Sequence, residues 1–94
     1  MSRPMDLEWD PEKAERNLAK HGVSFQDASA AFADPLSITI PDPDHSEAEA
    51  RLLLIGHTES GQLVVASYVE RGETLRIISA RVATRHERRT YEEG

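Results

Sequence analysis

Two arginines interrupt the apolar run Leu75-Arg76-Ile77-Ile78-Ser79-Ala80-Arg81. A guanidinium cannot shed its charge when it leaves water. Set into a buried strand, it either pairs with a carboxylate of the same chain or lines a surface that receives an anion. Arg51 opens another β-prone run and poses the same choice, since it can pair with Glu70 across two strands or face a ligand. Lys20 and His21 stand side by side before Gly22. They can carry protons, or merely answer the negative end of a helix dipole. Tyr91 can donate a proton or stack on a base. Arg85, Arg88 and Arg89 can grip phosphates or form an ordinary solvated helix face. His45 and His57 read as surface or loop histidines.

Other chemistries find less support. The chain has no cysteine, which removes disulfides, thiolate metal sites and a cysteine nucleophile. His21, His45, His57 and His86 show no metal-ligand spacing, and the acids of residues 42–49 form no calcium loop, so neither metal nor other cofactor is expected. There is no glycine-rich phosphate loop, and no serine sits in a nucleophile-elbow pattern.

The formal net charge of -6 is the wrong sign for a protein that coats itself in nucleic acid. Its distribution qualifies this. Residues 1–70 hold five Lys+Arg against thirteen Asp+Glu, whereas residues 71–94 hold six arginines against four acids. An anion site is therefore expected to be local. No apolar run approaches the ~18 residues of a membrane span. Residues 1–5 read as a flexible lead-in without the apolar stretch of a signal peptide, and a cytoplasmic location is expected.

Ninety-four residues make one small domain, and the elements that must position these side chains follow from local signals. Leu7-Glu8-Trp9 reads as an edge strand. Asp10-Pro11-Glu12 supplies an N-cap, a proline at the first helical position and an early acid. That helix runs to about Lys20 with Ala14 and Leu18 on one face, and Gly22 stops it. Ser24 caps a second helix whose stripe is Phe25, Ala28 and Phe32, ended by Asp34-Pro35. Leu36 to Ile40 reads as a strand, followed by an acidic, turn-rich and mobile loop.

Three strands then follow, Arg51 to Thr58, Gln62 to Glu70 and Thr74 to Ala83. Two-residue turns at Ser60-Gly61 and Arg71-Gly72 would set Arg51 near Glu70, His57 near Val64, Tyr68 near Leu75 and Val64 near Ser79. One sheet face then carries Leu52, Leu54, Leu63, Val65, Val69, Ile78 and Ala80, interrupted by Arg76. The other carries Leu53, Ile55, Val64, Ala66, Leu75 and Ile77 with Arg51, His57, Tyr68, Ser79 and Arg81. On this register Arg76 is structural, in reach of a helix carboxylate, and Arg81 is the arginine placed for a ligand. A single bulge would flip part of the assignment. Thr84 and Glu87 form a capping box that opens a C-terminal helix. The fold class is α+β, with an antiparallel sheet, two N-terminal helices and a C-terminal helix.

Taken together, Trp9-Asp10-Pro11, Asn17, residues 20–25, Ala28, Phe32, Asp34-Pro35, His45-Ser46-Glu47, Arg51, Ile55-Gly56, Tyr68, Arg71-Gly72 and residues 76–88 resemble the BrnT family of toxins. The resemblance spans about residues 6 to 92, and the acidic character of residues 42–49 departs from it. It implies a type II toxin with a RelE-like fold that cleaves RNA and inhibits translation. It also implies neutralisation by a BrnA-like antitoxin in a hetero-oligomer, 2:2 in stoichiometry, with DNA engaged only through that antitoxin. A metal-independent ribonuclease needs a base for the ribose 2′-hydroxyl, cations around the phosphorane and an acid for the leaving oxygen. Lys20, His21, Arg51, Arg81 and Tyr91 are the catalytic candidates, and Arg76, Arg85, Arg88 and Arg89 are the RNA-binding candidates. The competing reading is an inactive toxin-like module that binds an antitoxin and serves in transcriptional autoregulation.

Overall fold

A computed structural model describes residues 6–43 and 50–94. The expectations for residues 1–5, for His45 and for most of the acidic loop lie outside the described residues. In chain order the elements are β1 (Asp6–Glu8), α1 (Pro11–His21), α2 (Phe25–Ala31), β2 (Ile38–Pro41), β3 (Arg51–His57), β4 (Leu63–Arg71), β5 (Thr74–Val82) and α3 (Arg85–Glu93). One five-stranded sheet has the order β1-β5-β4-β3-β2. The α+β class holds, but the sheet is mixed rather than antiparallel, because β1 runs parallel to β5 with Leu7 beside Leu75 and Glu8 beside Arg76. The long connection through both helices permits this parallel return.

Each helix starts where its local chemistry requires. Asp10 Oδ1 accepts from the Glu12 amide at 2.9 Å, and Ser24 Oγ from the Asp27 amide at 2.9 Å. The reciprocal Thr84–Glu87 capping box is formed at α3. Gly22 closes α1 with φ 71, a conformation open to glycine at little cost.

The strand registers differ from the expected ones. Between β3 and β4 the loop is not a two-residue turn. Thr58 closes a wider loop, its amide donating to the Gln62 carbonyl at 2.9 Å and its Oγ1 accepting from the Gln62 amide at 3.2 Å. Arg51 therefore lies opposite Val69, not Glu70, and His57 opposite Leu63. The next turn is centred on Gly72-Glu73, with Gly72 at φ 63 and Arg71 paired with Thr74. Tyr68 consequently meets Ile77, not Leu75, and Val64 meets Val82, not Ser79.

A bulge completes the rearrangement. Ser67 pairs with Ser79 and Tyr68 with Ile77, so Ile78 is an extra residue on β5. An extra residue inverts the alternation of sides beyond it. Ile77 and Ala80 both join the helix-side core, and Arg76 and Arg81, five residues apart, share the other side. Arg76 is thus not on the helix-facing side.

The helix-side core gathers Val23, Phe25, Ala28 and Ala31 against Leu54, Val64, Tyr68, Leu75, Ile77 and Ala80. Gly56 lets the end of α2 come close, since a Cβ there would lie 2.7 Å from the Ala31 carbonyl oxygen. In α1 the buried residue is Asn17, while Leu18 is left 50% exposed. Asn17 Nδ2 donates to the carbonyls of Ala80 at 2.8 Å and Val23 at 2.9 Å, and its Oδ1 accepts from the Ala80 amide at 3.1 Å. It pairs with β5 much as a neighbouring strand would, along the edge that β1 does not reach. On the opposite side of the sheet, Ile55, Leu63 and Val65 form a smaller core with Leu53, Ala83 and Tyr91. There α3 covers one end only. The remainder is where the arginines stand.

Candidate active site

Four cross-strand rows build the face that α1 and α2 do not cover. From the α3 end they run His57–Leu63, then Ile55–Val65–Arg81, Leu53–Ser67–Ser79 and Arg51–Val69–Arg76. Paired residues project to the same side, so Arg51 and Arg81 stand diagonally on either side of Ser67. Together with Asp42, Pro43, Leu53, Ser79 and Glu87 these three line a cavity of ≈ 360 Å³.

Arg81 is held. Its Nη1 and Nη2 donate to Glu87 Oε1 and Oε2 at 2.7 and 2.8 Å, a two-pronged contact. Glu87 Oε1 also accepts from the Thr84 amide at 2.9 Å, so the helix cap and the arginine share one carboxylate. The Arg81 bond, opposed by burial and helped by Thr84, lowers the Glu87 pKa from 4.5 to about 2. Glu87 in turn raises the Arg81 pKa against the effect of burial, and the charge of Asp42 adds to the rise. Arg51 makes no ion pair among the described residues, so of its two alternatives the cross-strand pair with Glu70 is not formed.

The Glu87 shift has a consequence in acid. The folded chain binds this proton less readily than the unfolded chain does, so the contact contributes in full above pH 4.5. It fades as the pH falls from there toward 2. With the Arg81 side chain 38% exposed, solvent screening reduces the contribution to about 1–2 kcal/mol. The expected result is that Glu87→Gln melts below the parent at pH 7 and that the gap narrows by pH 3. A gap of equal size at both values would contradict the assignment.

The other candidates are dispersed. Lys20 is exposed and His21 half-buried at the end of α1, which packs on the other face, and neither lines the cavity. Arg76 Nη1 lies 2.8 Å from Glu8 Oε2, a bridge to a strand carboxylate rather than to a helix. Arg85, Arg88 and Arg89 are exposed on α3, outside the cavity lining. Tyr91 belongs to a separate cluster. Its hydroxyl donates to Asp34 Oδ2 at 2.8 Å and lies 3.1 Å from His57 Nδ1. Asp34 also accepts from the amides of His57 and Leu36, both at 2.9 Å. Burial alone would raise the Asp34 pKa, but these bonds outweigh it and hold the carboxyl below its ordinary value. The same Asp34 bond raises the Tyr91 pKa, and the phenol stays protonated. The cluster ties α3 to the segment between α2 and β2 and to the end of β3. His57 is therefore more than an ordinary surface histidine.

Sequence reasoning passed over Ser67, Asp42 and Glu87 as cavity residues. The signal for Ser67 was a lone serine within the apolar run Leu63–Val69. Glu87 was legible only as a helix cap.

The family model for the ribonuclease toxin BrnT of type II toxin–antitoxin systems matches residues 9–87. The chain belongs to that family. Among solved structures, the 1.1 Å crystal structure of the Brucella abortus ribonuclease toxin BrnT matches with a TM-score of 0.67 and 27% identity. The match covers 87% of this chain and 100% of that one. No curated protein matches the sequence. The family model ends at Glu87, so it takes in both cavity arginines and the carboxylate that holds Arg81, while Tyr91 lies beyond it. Among the described residues of this BrnT-family chain, no helix is long and apolar enough to cross a membrane.

Proposed function

We propose that this BrnT-family chain is a metal-independent endoribonuclease, the toxin of a type II system, acting on RNA in the cytoplasm to inhibit translation. The observation that carries the reading is the convergence of Arg51 and Arg81, from two different strands, on one cavity that two serines also line. Guanidiniums fixed on strands neutralise charge as it develops on a phosphorane, without reorganising when it does. They supply what a divalent cation supplies elsewhere. Among the described residues no three His, Asp or Glu are grouped to hold such a cation. Of the two cavity carboxylates, Glu87 is engaged by Arg81 and acidified to about 2, which makes it a poor proton acceptor. Lys20, His21 and Tyr91 remain proton carriers only for a substrate that reaches beyond the cavity lining.

In this reading the architecture is RelE-like. A BrnA-like antitoxin neutralises the toxin by occluding the cavity within a 2:2 hetero-oligomer, and DNA is engaged only through the antitoxin. Purified protein is expected to cleave RNA undiminished in excess EDTA. Activity abolished by the chelator and restored by magnesium or zinc would overturn it.

One observation favours a second reading, an inactive module that binds its antitoxin and acts in autoregulation. Arg81 is already satisfied by Glu87, and neither histidine candidate nor lysine lines the cavity. Harmless overexpression together with tight antitoxin binding would decide for the module.

A further inference from the structure

Ser67 lies near the middle of β4, the central strand, and is 5% exposed. Its hydroxyl is a buried polar group without a hydrogen-bond partner among the described residues. Folded domains rarely leave such a group unsatisfied, because its lost hydration is returned by nothing. Packing does not call for it, since alanine would fill the backbone position without stranding a hydroxyl. The residue's surroundings supply the reason. Leu53 and Ser79 flank it directly across the strands, and Arg51 and Arg81 occupy two diagonal corners of the same cavity.

We propose that Ser67 is the neutral donor at the floor of an anion site, giving its hydrogen bond to a non-bridging oxygen of a phosphodiester held between Arg51 and Arg81. Identifying the anion as an RNA phosphodiester rests on the ribonuclease reading above. The charge balance points to the same class. Asp42 and Glu87 line the cavity with the two arginines, so formal charge there is close to balanced. A singly charged diester suits such a site better than a multiply charged terminal phosphate. A hydroxyl adds direction and a donor without a third positive charge, and it is short enough to stand beneath two long guanidinium arms. Ser67 positions the diester. The arginines neutralise it.

The test is Ser67→Ala, with Ser67→Cys as a second variant that keeps the branching and weakens the donor. Three quantities are read: the melting temperature, the affinity for a fluorescent 2′-deoxy oligonucleotide that cannot be cleaved, and single-turnover cleavage of the matching RNA. Both variants are expected to melt at or above the parent temperature, because no internal bond is lost. Each should bind the deoxy oligonucleotide about tenfold more weakly, the usual effect of losing one hydrogen bond to a charged group. Cleavage should fall by at least as much, and inorganic phosphate at equal concentration should compete poorly. Variants that bind and cleave as the parent does overturn the role of Ser67 and leave the ribonuclease reading standing. A parent that binds the oligonucleotide but cleaves no RNA, with binding lost in the variants, overturns the ribonuclease reading and supports the anion site. Lower melting of both variants shows that the hydroxyl serves the fold, and overturns the proposal.

Discussion

Arg81→Ala should reduce single-turnover RNA cleavage by about 10²–10³-fold and abolish growth arrest on overexpression, the loss typical of removing one donor aimed at a developing negative charge. The size follows from the way Arg81 is held. It stands in a cavity with Arg51, and Glu87 grips both of its terminal nitrogens, so its planar fork is oriented before any substrate arrives. Arg81→Lys keeps the charge but not the fork, and should recover only part of the activity. The structural contribution must be separated, because losing Arg81 also strips Glu87 of two bonds at the start of α3. Glu87→Gln provides that control, since it weakens the same contact while leaving the guanidinium in place. Folded Arg81→Ala that cleaves RNA at the parent rate would remove Arg81 from the mechanism. Arg81→Glu extends the test to the partner. If the antitoxin occludes this cavity, charge reversal should weaken the complex together with RNA binding. An intact complex would place the antitoxin elsewhere.

The parts of this molecule that were legible in its sequence are those fixed within one turn of chain. Asp10, Ser24 and the Thr84–Glu87 box are written in neighbouring residues, and all three helices start where those residues require. The sheet was less legible, because its geometry depends on contacts that no local pattern records. Ser60-Gly61 resembles a two-residue turn, yet Thr58 gains two bonds to Gln62 by closing a wider loop, and every pairing in that hairpin moves by one. The extra residue at Ile78 is hard to read from the sequence, because Ile77 and Ile78 are both apolar and either could be the inward-facing one. The parallel partner of β5 comes from residues 68 positions earlier in the chain. The site shows the same division. Arg51 and Arg81 were recognisable as cations in apolar strands, and the structure brings them together. What the sequence could not show is that Asp34, His57 and Tyr91 converge from a loop, a strand and a helix, or that Ser67 faces the arginines rather than the helices.

The largest loss of stability should come from Asn17→Ala. Asparagine is a poor choice inside a helix, and the substitution gains up to about 0.5 kcal/mol of helix propensity. Against that stand three hydrogen bonds through one side-chain amide. They satisfy the Ala80 N–H, the Ala80 carbonyl and the Val23 carbonyl, all in a region where Asn17 itself is only 7% exposed. Removing the amide leaves these backbone groups unpaired, at about 1–3 kcal/mol for each that water cannot reach. A water molecule entering the vacated space would recover part of the loss, which places the net cost at about 2–4 kcal/mol. For a domain of this size that lowers the melting temperature by about 10–25 °C. Activity should fall even where the variant remains folded, because Ala80 is the residue before Arg81 and Asn17 fixes its peptide on an edge that no strand covers. Asn17→Asp should be no milder, since a carboxylate cannot donate to the two carbonyls and brings a buried charge. An Asn17→Ala protein melting within about 3 °C of the parent, less than the shift expected for 1 kcal/mol, would show that the edge of β5 is held by other means.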